Sequence, residues 1–194
     1  MAIPPAALST CRSVSDSYAE IHSSIRPCLR ICLSVFVAPL SKNCSAPFVW
    51  FWLKQSIRLR YPSVPSIRPD RLQKILAMQH AGDWLVLDAR TTAEFNVSCL
   101  PCAVLIGDGE EIPLSGPLGN APRERPILVC CAVGVRSAAV VKRLRERGFR
   151  KAVNLEGGLF EWVNQGHQLV HEGQPTTLVH PFNRFWGLLL KPHR

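Results

Sequence analysis

The sequence predicts an α/β domain with a doubly wound parallel sheet, helices on both faces, and an irregular N-terminal extension. Three observations predict this fold. Short continuous apolar runs, typical of strands that are buried on both faces, recur between residues 84 and 155. Segments with helical spacing alternate with these runs, as in sheets built from crossover helices. The chain has 194 residues and is 47% hydrophobic, which allows one ordinary domain plus an appendage.

Four apolar runs are predicted as strands, and four segments with helical spacing as helices. The strands are residues 84–87, 103–106, 127–129 and 152–155. The helices begin at Pro69, Thr91, Ser137 and Leu159, and Gly82, Gly148 and Gly166 end the first, third and fourth. In the third helix, Val140, Val141 and Leu144 are predicted to face the core. A loop rich in glycine and proline is predicted for residues 107–126.

The N-terminal segment, residues 1–65, differs in composition and is predicted to be a low-order extension. It is rich in Ser, Pro and Arg, and residues 1–69 hold 8 basic and 2 acidic side chains. This composition fits an organelle transit peptide or a disordered extension. Its aromatic cluster indicates either a membrane-surface contact or scattered exposed side chains; the cluster is Phe48, Trp50, Phe51 and Trp52.

Residues 66–172 are predicted to form the domain, and residues 173–194 a tail. The apolar density of the tail, as in Phe185–Leu190, is high for a free terminus. We therefore expect the tail to pack on the domain or to form a partner interface.

Charge and composition exclude several classes of protein. The net charge is +9, but residues 70–194 hold 15 basic and 12 acidic side chains, so the domain is only mildly basic and nucleic-acid binding is not expected. No stretch of 18 apolar residues occurs, which argues against a membrane-spanning helix. The eight cysteines lack the regular spacing of a small secreted domain. A reducing compartment, cytoplasm or organelle matrix, is the simpler interpretation.

The candidate site is the turn between the third predicted strand and the helix that follows it. Ligand sites in open parallel sheets lie at the carboxyl ends of strands. Main-chain amides of such a turn and of the helix N-terminus bind anions and favour the thiolate form of Cys131. Gly134 gives the turn conformational freedom, and Arg136 adds a planar fork of donors. These residues predict a nucleophilic sulfur aimed at an anionic substrate.

Four motifs in order resemble the rhodanese-like sulfurtransferases, over about residues 66–170. The active loop Cys-x-x-Gly-x-Arg-Ser of that family is matched by Cys131, Gly134, Arg136 and Ser137. The others are Asp88-Ala-Arg90 with Glu94-Phe95, Ser98–Ala103, and Asn154–Gly158 followed by Trp162. The family's His and second Gly in the Ser98–Ala103 motif are replaced here by Cys99 and Cys102. Neither position is the nucleophile.

The resemblance implies a doubly wound sheet and a sulfur-transfer reaction. Cys131 would attack the sulfane sulfur of a donor such as thiosulfate or a persulfide carrier, and a thiophilic acceptor would remove that sulfur. The persulfide and the donor would be held by residues of the loop: Ala132, Val133, Gly134, Val135, Arg136 and Ser137. Arg136 would bind the donor's anionic end, while Ser137 would also cap the next helix. Asp88, Arg90 and Glu94 would brace the site, and no metal or other cofactor is implied.

Several alternatives stay open at this point. Cys131 could be a small core residue, and Cys130 is expected to be one. The protein could be a Cys-dependent phosphatase, although the loop of such enzymes has five residues between Cys and Arg and only four separate Cys131 from Arg136. It could also be a non-catalytic module. Cys99 and Cys102 could be redox-active or half of a zinc site. The basic face between Lys142 and Lys151 could recruit an acidic protein or simply be solvated.

Overall fold

A five-stranded, wholly parallel sheet forms the centre of the structure, a computed structural model that describes residues 46–77, 83–107 and 118–191. The strands lie in the order β1-β5-β4-β2-β3. Their bounds are β1 Ser66–Ile67, β2 Leu85–Asp88, β3 Ala103–Leu105, β4 Ile127–Cys130 and β5 Ala152–Leu155. Because β4 and β2 are adjacent and parallel, their last residues, Cys130 and Asp88, lie side by side at the carboxyl edge, where their Cα atoms are paired.

Helices cover both faces of this sheet, which confirms the predicted fold class. Their bounds are α2 Pro69–Ala77, α3 Thr92–Val97, α4 Val135–Glu146 and α5 Gly158–Asn164. Alternate residues of each strand point to opposite faces, so a single apolar strand supplies two cores. One core contains Leu85, Leu87, Ile127 and Val129 with Val140, Val141 and Leu144 of α4. The other contains Val86, Leu128 and Leu155 with Leu72 of α2 and Leu159 and Trp162 of α5.

The element boundaries differ from the predicted ones mainly at strand and helix ends. Strands β2 and β4 each run one residue further, to Asp88 and Cys130. Helix α4 begins at Val135, two residues before the predicted start, because Gly134 adopts a left-handed conformation (φ 97°) and turns the chain directly into the helix. The predicted stop at Gly82 and residues 108–117 of the predicted loop lie outside the described residues.

One helix occupies part of the segment that the composition predicted to be irregular. Helix α1, Ala46–Arg60, buries Leu53 and Ile57 against the domain. Lys54 reaches Glu161 at 2.7 Å and Glu156 at 3.2 Å. The prediction of low order therefore fails for residues 46–60. Apolar side chains surround this helix, so it lacks the amphipathic pattern by which a surface helix is recognised.

The chain after α5 forms a short hairpin and, within the tail, a final helical turn. Strands β6, Leu169–His171, and β7, Gln174–Thr176, are antiparallel. A 3₁₀ helix, Trp186–Leu189, buries Leu189 in the same cluster as Leu53 of α1. Asn164 at the end of α5 holds this turn, donating to the Leu189 carbonyl at 2.8 Å. In the part of the chain that the structure describes, no helix is both long and apolar enough to cross a bilayer.

Candidate active site

The loop between β4 and α4 carries Cys131 at the carboxyl edge of the sheet. Cys131 follows the last strand residue, and the loop ends at Gly134, the N-cap of α4. The side chain is nearly enclosed, with the whole residue only 1% exposed. The sulfur therefore lies at the strand end that the sequence predicted, beneath a cover of protein.

Two hydrogen-bond donors point at the sulfur of Cys131. The amide of Gly134 donates to Sγ over 3.2 Å, and the hydroxyl of Ser137 lies 3.3 Å from Sγ. The amide reaches Sγ because the left-handed backbone of Gly134 tightens the loop around the sulfur. Donors in this position stabilise negative charge on sulfur more than they stabilise a neutral thiol.

Ser137 occupies the first turn of α4 and does not cap it, so the predicted capping role is wrong. The cap is Gly134, which has no side chain to contribute. The Ser137 hydroxyl instead lies between Cys131 Sγ and the Oδ1 of Asn154, at 2.6 Å from the latter. Its single proton can be donated to only one of them at a time. Asn154 was missed as a site residue, although a buried amide within the apolar run Ala152–Leu155 was a visible signal.

The N-terminus of α5 fixes the direction of the loop's carbonyl groups. The amides of Leu159 and Phe160 donate to the carbonyls of Cys131 and Ala132 at 2.9 and 3.0 Å. This approach requires glycine at 158, since a Cβ there would lie 2.4 Å from the Cys131 carbonyl oxygen, and φ is 59°. Gly158 is thus a packing requirement of the active loop.

Arg136 is bound by Glu94 through both of its terminal nitrogens. Its Nη1 and Nη2 lie 2.8 and 2.7 Å from the two Glu94 oxygens. Thr91 also bonds this carboxylate and closes a capping box at the start of α3. Burial raises the pKa of Glu94, but the hydrogen bonds and charge of Arg136, together with Thr91, outweigh it and hold that pKa below its usual value. The guanidinium of Arg136, which the sequence predicted to bind a donor anion, is therefore already bound to the carboxylate of Glu94.

Asp88 and Arg90 form a second, fully buried ion pair at the end of β2. The Arg90 Nη2 lies 2.8 Å from Asp88 and 2.6 Å from the Ser98 carbonyl. Burial lowers the pKa of Arg90, but the hydrogen bonds and charge of Asp88 raise it above its ordinary value. The pair ties β2 to the segment that precedes β3, next to Cys130.

The other three described cysteines lie outside the loop. Cys130 is the last residue of β4 and is fully buried, and burial together with Asp88 raises the pKa of its thiol well above the ordinary value. Cys99 is half-buried, and burial raises its pKa as well. Cys102 is exposed and adopts a left-handed conformation (φ 59°), which suits the glycine of the related motif. Cys130 is therefore a core thiol.

An apolar layer, to which helix α1 and the apolar tail both contribute, covers the active loop. Ala132 and Val133 pack in a cluster with residues from three other elements, namely Leu53 and Ile57 of α1, Phe160 of α5 and Leu189 of the 3₁₀ helix. The ring of Phe182 lies 5.0 Å from the Arg136 guanidinium carbon, in a cation–π contact. Segments from both ends of the described chain thus close over one loop.

Comparisons with known proteins agree with this architecture. The family model for the rhodanese-like domain matches residues 71–165. A sulfurtransferase of Allochromatium vinosum is 30% identical over 88 residues, which cover 45% of this chain and 79% of the relative. The adenylyltransferase and sulfurtransferase MOCS3 of Drosophila virilis is 34% identical over 95 residues, 43% of this chain but only 20% of that protein.

A solved structure shows the same fold. The thiosulfate sulfurtransferase of Pseudomonas aeruginosa superposes with a TM-score of 0.52 at 24% identity, over 62% of this chain and 22% of that one. The sheet order, the loop that follows β4 and the matches along residues 71–165 lead to one assignment. The chain belongs to the rhodanese-like domain family of sulfurtransferases.

Proposed function

We propose that the chain is a rhodanese-type sulfurtransferase that carries a sulfane sulfur on Cys131. The observation that supports this most directly is the pair of donors on Sγ, the Gly134 amide and the Ser137 hydroxyl. Both would stabilise the attacking thiolate and, afterwards, the negative charge of a persulfide. The neighbouring thiol of Cys130 has no such environment, and its raised pKa keeps it neutral.

The reaction takes place in two displacement steps. The Cys131 thiolate attacks the outer sulfur of the donor, a new S–S bond forms, and the donor's own S–S bond breaks. Its electron pair leaves with the donor remnant, which is sulfite when the donor is thiosulfate. An acceptor thiolate or cyanide then attacks the outer sulfur of the persulfide and restores the Cys131 thiolate. No net redox equivalent is consumed, because the sulfane sulfur moves between two nucleophiles.

The roles of the surrounding residues follow from their contacts. Amides of residues 132–136 would hold the transferred sulfur, with their peptide planes oriented by Leu159 and Phe160. Asp88, Arg90 and Glu94 would act as positioning groups. Because Glu94 binds both terminal nitrogens of Arg136, Arg136 would contribute its positive charge and hold the loop in place. It would contact a donor anion only if the anion shared these nitrogens with Glu94.

The cover over the loop favours a persulfide carrier over free thiosulfate as the natural donor. Thiosulfate is a small dianion, and Ala132 and Val133 together with the layer above them give it an apolar entrance. A carrier that presents one sulfur atom on a thiol needs less anion binding. An acidic carrier protein would also suit the basic face from Lys142 to Lys151, where Lys142, Arg147, Arg150 and Lys151 are exposed.

A phosphatase is less well supported by the geometry. The spacing of five residues that a phosphate loop needs is reached only by counting from Cys130, which is a buried strand residue with a raised pKa. In addition, a phosphate loop needs its arginine fork for the phosphate, whereas Arg136 binds Glu94 here.

The test is a thiosulfate and cyanide assay for thiocyanate with two adjacent variants. We expect Cys131→Ala to abolish thiocyanate formation and Cys130→Ala to retain most of it, since the two changes remove the same atom from neighbouring residues. Mass spectrometry should find one added sulfur on the Cys131 peptide after incubation with donor. Thiocyanate formation that survives Cys131→Ala would refute the assignment. Absence of both thiocyanate and the added sulfur with thiosulfate and with a protein persulfide would indicate a non-catalytic module.

A further inference from the structure

The outer face of α1 exposes more large apolar side chains than a surface helix needs. Phe48, Phe51 and Trp52 are each about half exposed, and Leu59 is 82% exposed. The rings are arranged edge to face, with Trp52 at 6.0 Å from Phe48 and 5.7 Å from Phe51 between centroids. They form a continuous aromatic surface along one side of the helix.

The outer face of α1 takes no part in packing against the domain core, because the opposite face of the helix makes that contact. Leu53 and Ile57 are buried in the cluster over the active loop. When a helix has apolar side chains on both faces and buries one face on its own domain, we expect the other face to bind a second apolar surface. Since the inner face is anchored on the domain, the outer face can bind another surface without any unfolding of the helix.

Charge distinguishes between the candidate occupants. Helix α1 has Lys54, Arg58 and Arg60 and no acidic residue. Lys54 and Arg58 reach Glu156, and Arg60 is exposed beyond them. The charge of Lys54 and Arg58 is thus partly neutralised by Glu156, and the cationic character of this side comes from Arg60 and from the neighbouring tail. Exposed aromatic rings beside such cations, on a helix without Asp or Glu, match the interface of an anionic bilayer, where rings lie at headgroup depth and cations meet phosphate.

The tail extends the same chemistry next to α1. Residues 182–191 contain Arg184 and Lys191, both exposed, and no Asp or Glu. Phe182, Phe185 and Leu188 are exposed on this segment. The 3₁₀ helix and α1 pack on the same buried cluster, so both segments border the active loop.

We propose that the outer face of α1 is a binding surface for an anionic lipid bilayer, with the helix axis parallel to the membrane plane. The aromatic side chains Phe48, Phe51 and Trp52 enter the interface, and the exposed side chains of Arg60 and Arg184 contact lipid phosphates. A second copy of the chain is a weaker candidate, because two such faces would bring like charges together. The proposal is independent of the sulfur-transfer chemistry.

The experiment is co-sedimentation of the full chain with vesicles. One set contains phosphatidylcholine with about 30% phosphatidylserine, to give an anionic surface, and the other contains phosphatidylcholine alone. We expect binding to the anionic vesicles that weakens with added salt, and at least about tenfold weaker binding to the neutral ones. The variant Phe48→Ser/Phe51→Ser/Trp52→Ser should reduce anionic-vesicle binding by about tenfold or more, because it removes apolar area that would leave water.

Two controls distinguish lipid binding through α1 from nonspecific adsorption of exposed apolar side chains and from misfolding of the variant. Leu178→Ser removes an apolar side chain that is 66% exposed but lies outside α1 and before the tail segment 182–191, where its carbonyl accepts from Ser98, so this variant should bind vesicles like the parent chain. Urea unfolding of the triple variant should still show one cooperative transition, which establishes that this variant is folded. The proposal is overturned if the full chain does not bind anionic vesicles, if the triple variant binds as well as the parent, or if the triple change instead dissociates a dimer.

Discussion

The carboxylate of Glu94 holds the guanidinium of Arg136 at both terminal nitrogens, with contacts of 2.8 and 2.7 Å across 42 residues of sequence. Glu94 is 1% exposed, while the side chain of Arg136 is 26% exposed. The pair joins the first turn of α3 to the first turn of α4. It therefore anchors the helix that follows the active loop to the helix that follows β2.

Replacing Glu94 with Gln should destabilise the fold at neutral pH but much less in acid. The folded-state pKa of Glu94 is lowered, so its stabilising effect is complete above the unfolded value of about 4.3 and is lost as the pH falls through the folded value. We expect a loss of about 1–3 kcal/mol at pH 7, discounted for the partial exposure of Arg136. Urea unfolding of both proteins from pH 7 to pH 3 measures it, and a difference that does not change with pH would contradict the explanation.

Removal of the Ser137 hydroxyl should slow sulfur transfer without unfolding the protein. The hydroxyl lies 3.3 Å from Cys131 Sγ and 2.6 Å from the Asn154 Oδ1, and it becomes the second donor on the sulfur when its proton turns from that oxygen to the thiolate. A hydrogen bond to a charged group contributes about 1.5–3 kcal/mol, so Ser137→Ala should reduce the rate of persulfide formation by about ten- to a hundredfold. Stopped reactions analysed by mass spectrometry give that rate directly.

Ser56→Ala is the matched control for this change. Its hydroxyl bonds the Leu53 carbonyl within α1, away from the sulfur. We expect this variant to form the persulfide at the parent rate. Equal rates for the Ser137→Ala variant and the parent would mean that Gly134 alone supports the thiolate.

The sequence alone predicts those elements whose burial is visible in the pattern of consecutive residues. The run from Ile127 to Val129 is apolar at every position because β4 is buried on both faces, and Cys131 follows from it as the residue at the strand end. The Glu94–Arg136 pair is different, since nothing local indicates that these two side chains meet. Helix α1 was missed because its apolar residues surround it, with one side on the domain and the other exposed.

Substitution of Gly158 by Ala should disrupt the active loop more than its small size suggests. The added Cβ would lie 2.4 Å from the Cys131 carbonyl oxygen and 2.6 Å from that of Ala132, and the left-handed φ of 59° disfavours any side chain. We expect a loss of stability of about 1–3 kcal/mol and a greater loss of sulfur transfer, because the loop carbonyls would be displaced. Gly166→Ala is the control: φ there is also positive but no atom lies within 4 Å, so stability should fall while transfer is kept.

The domain should depend on helix α1, although composition predicts that residues 1–65 form a low-order extension. Leu53 is 1% exposed and shares a cluster with Ala132 and Val133 of the active loop, whereas Leu59 on the same helix is 82% exposed. Leu53→Ala should therefore cost about 2–5 kcal/mol of unfolding free energy, and Leu59→Ala less than about 0.5 kcal/mol. Both variants keep the helix propensity of Ala, so the difference between them in urea unfolding reports burial alone. If Leu53→Ala unfolds like the parent, α1 is not part of the folded domain, and a chain lacking residues 1–60 should then retain its stability and its sulfur transfer.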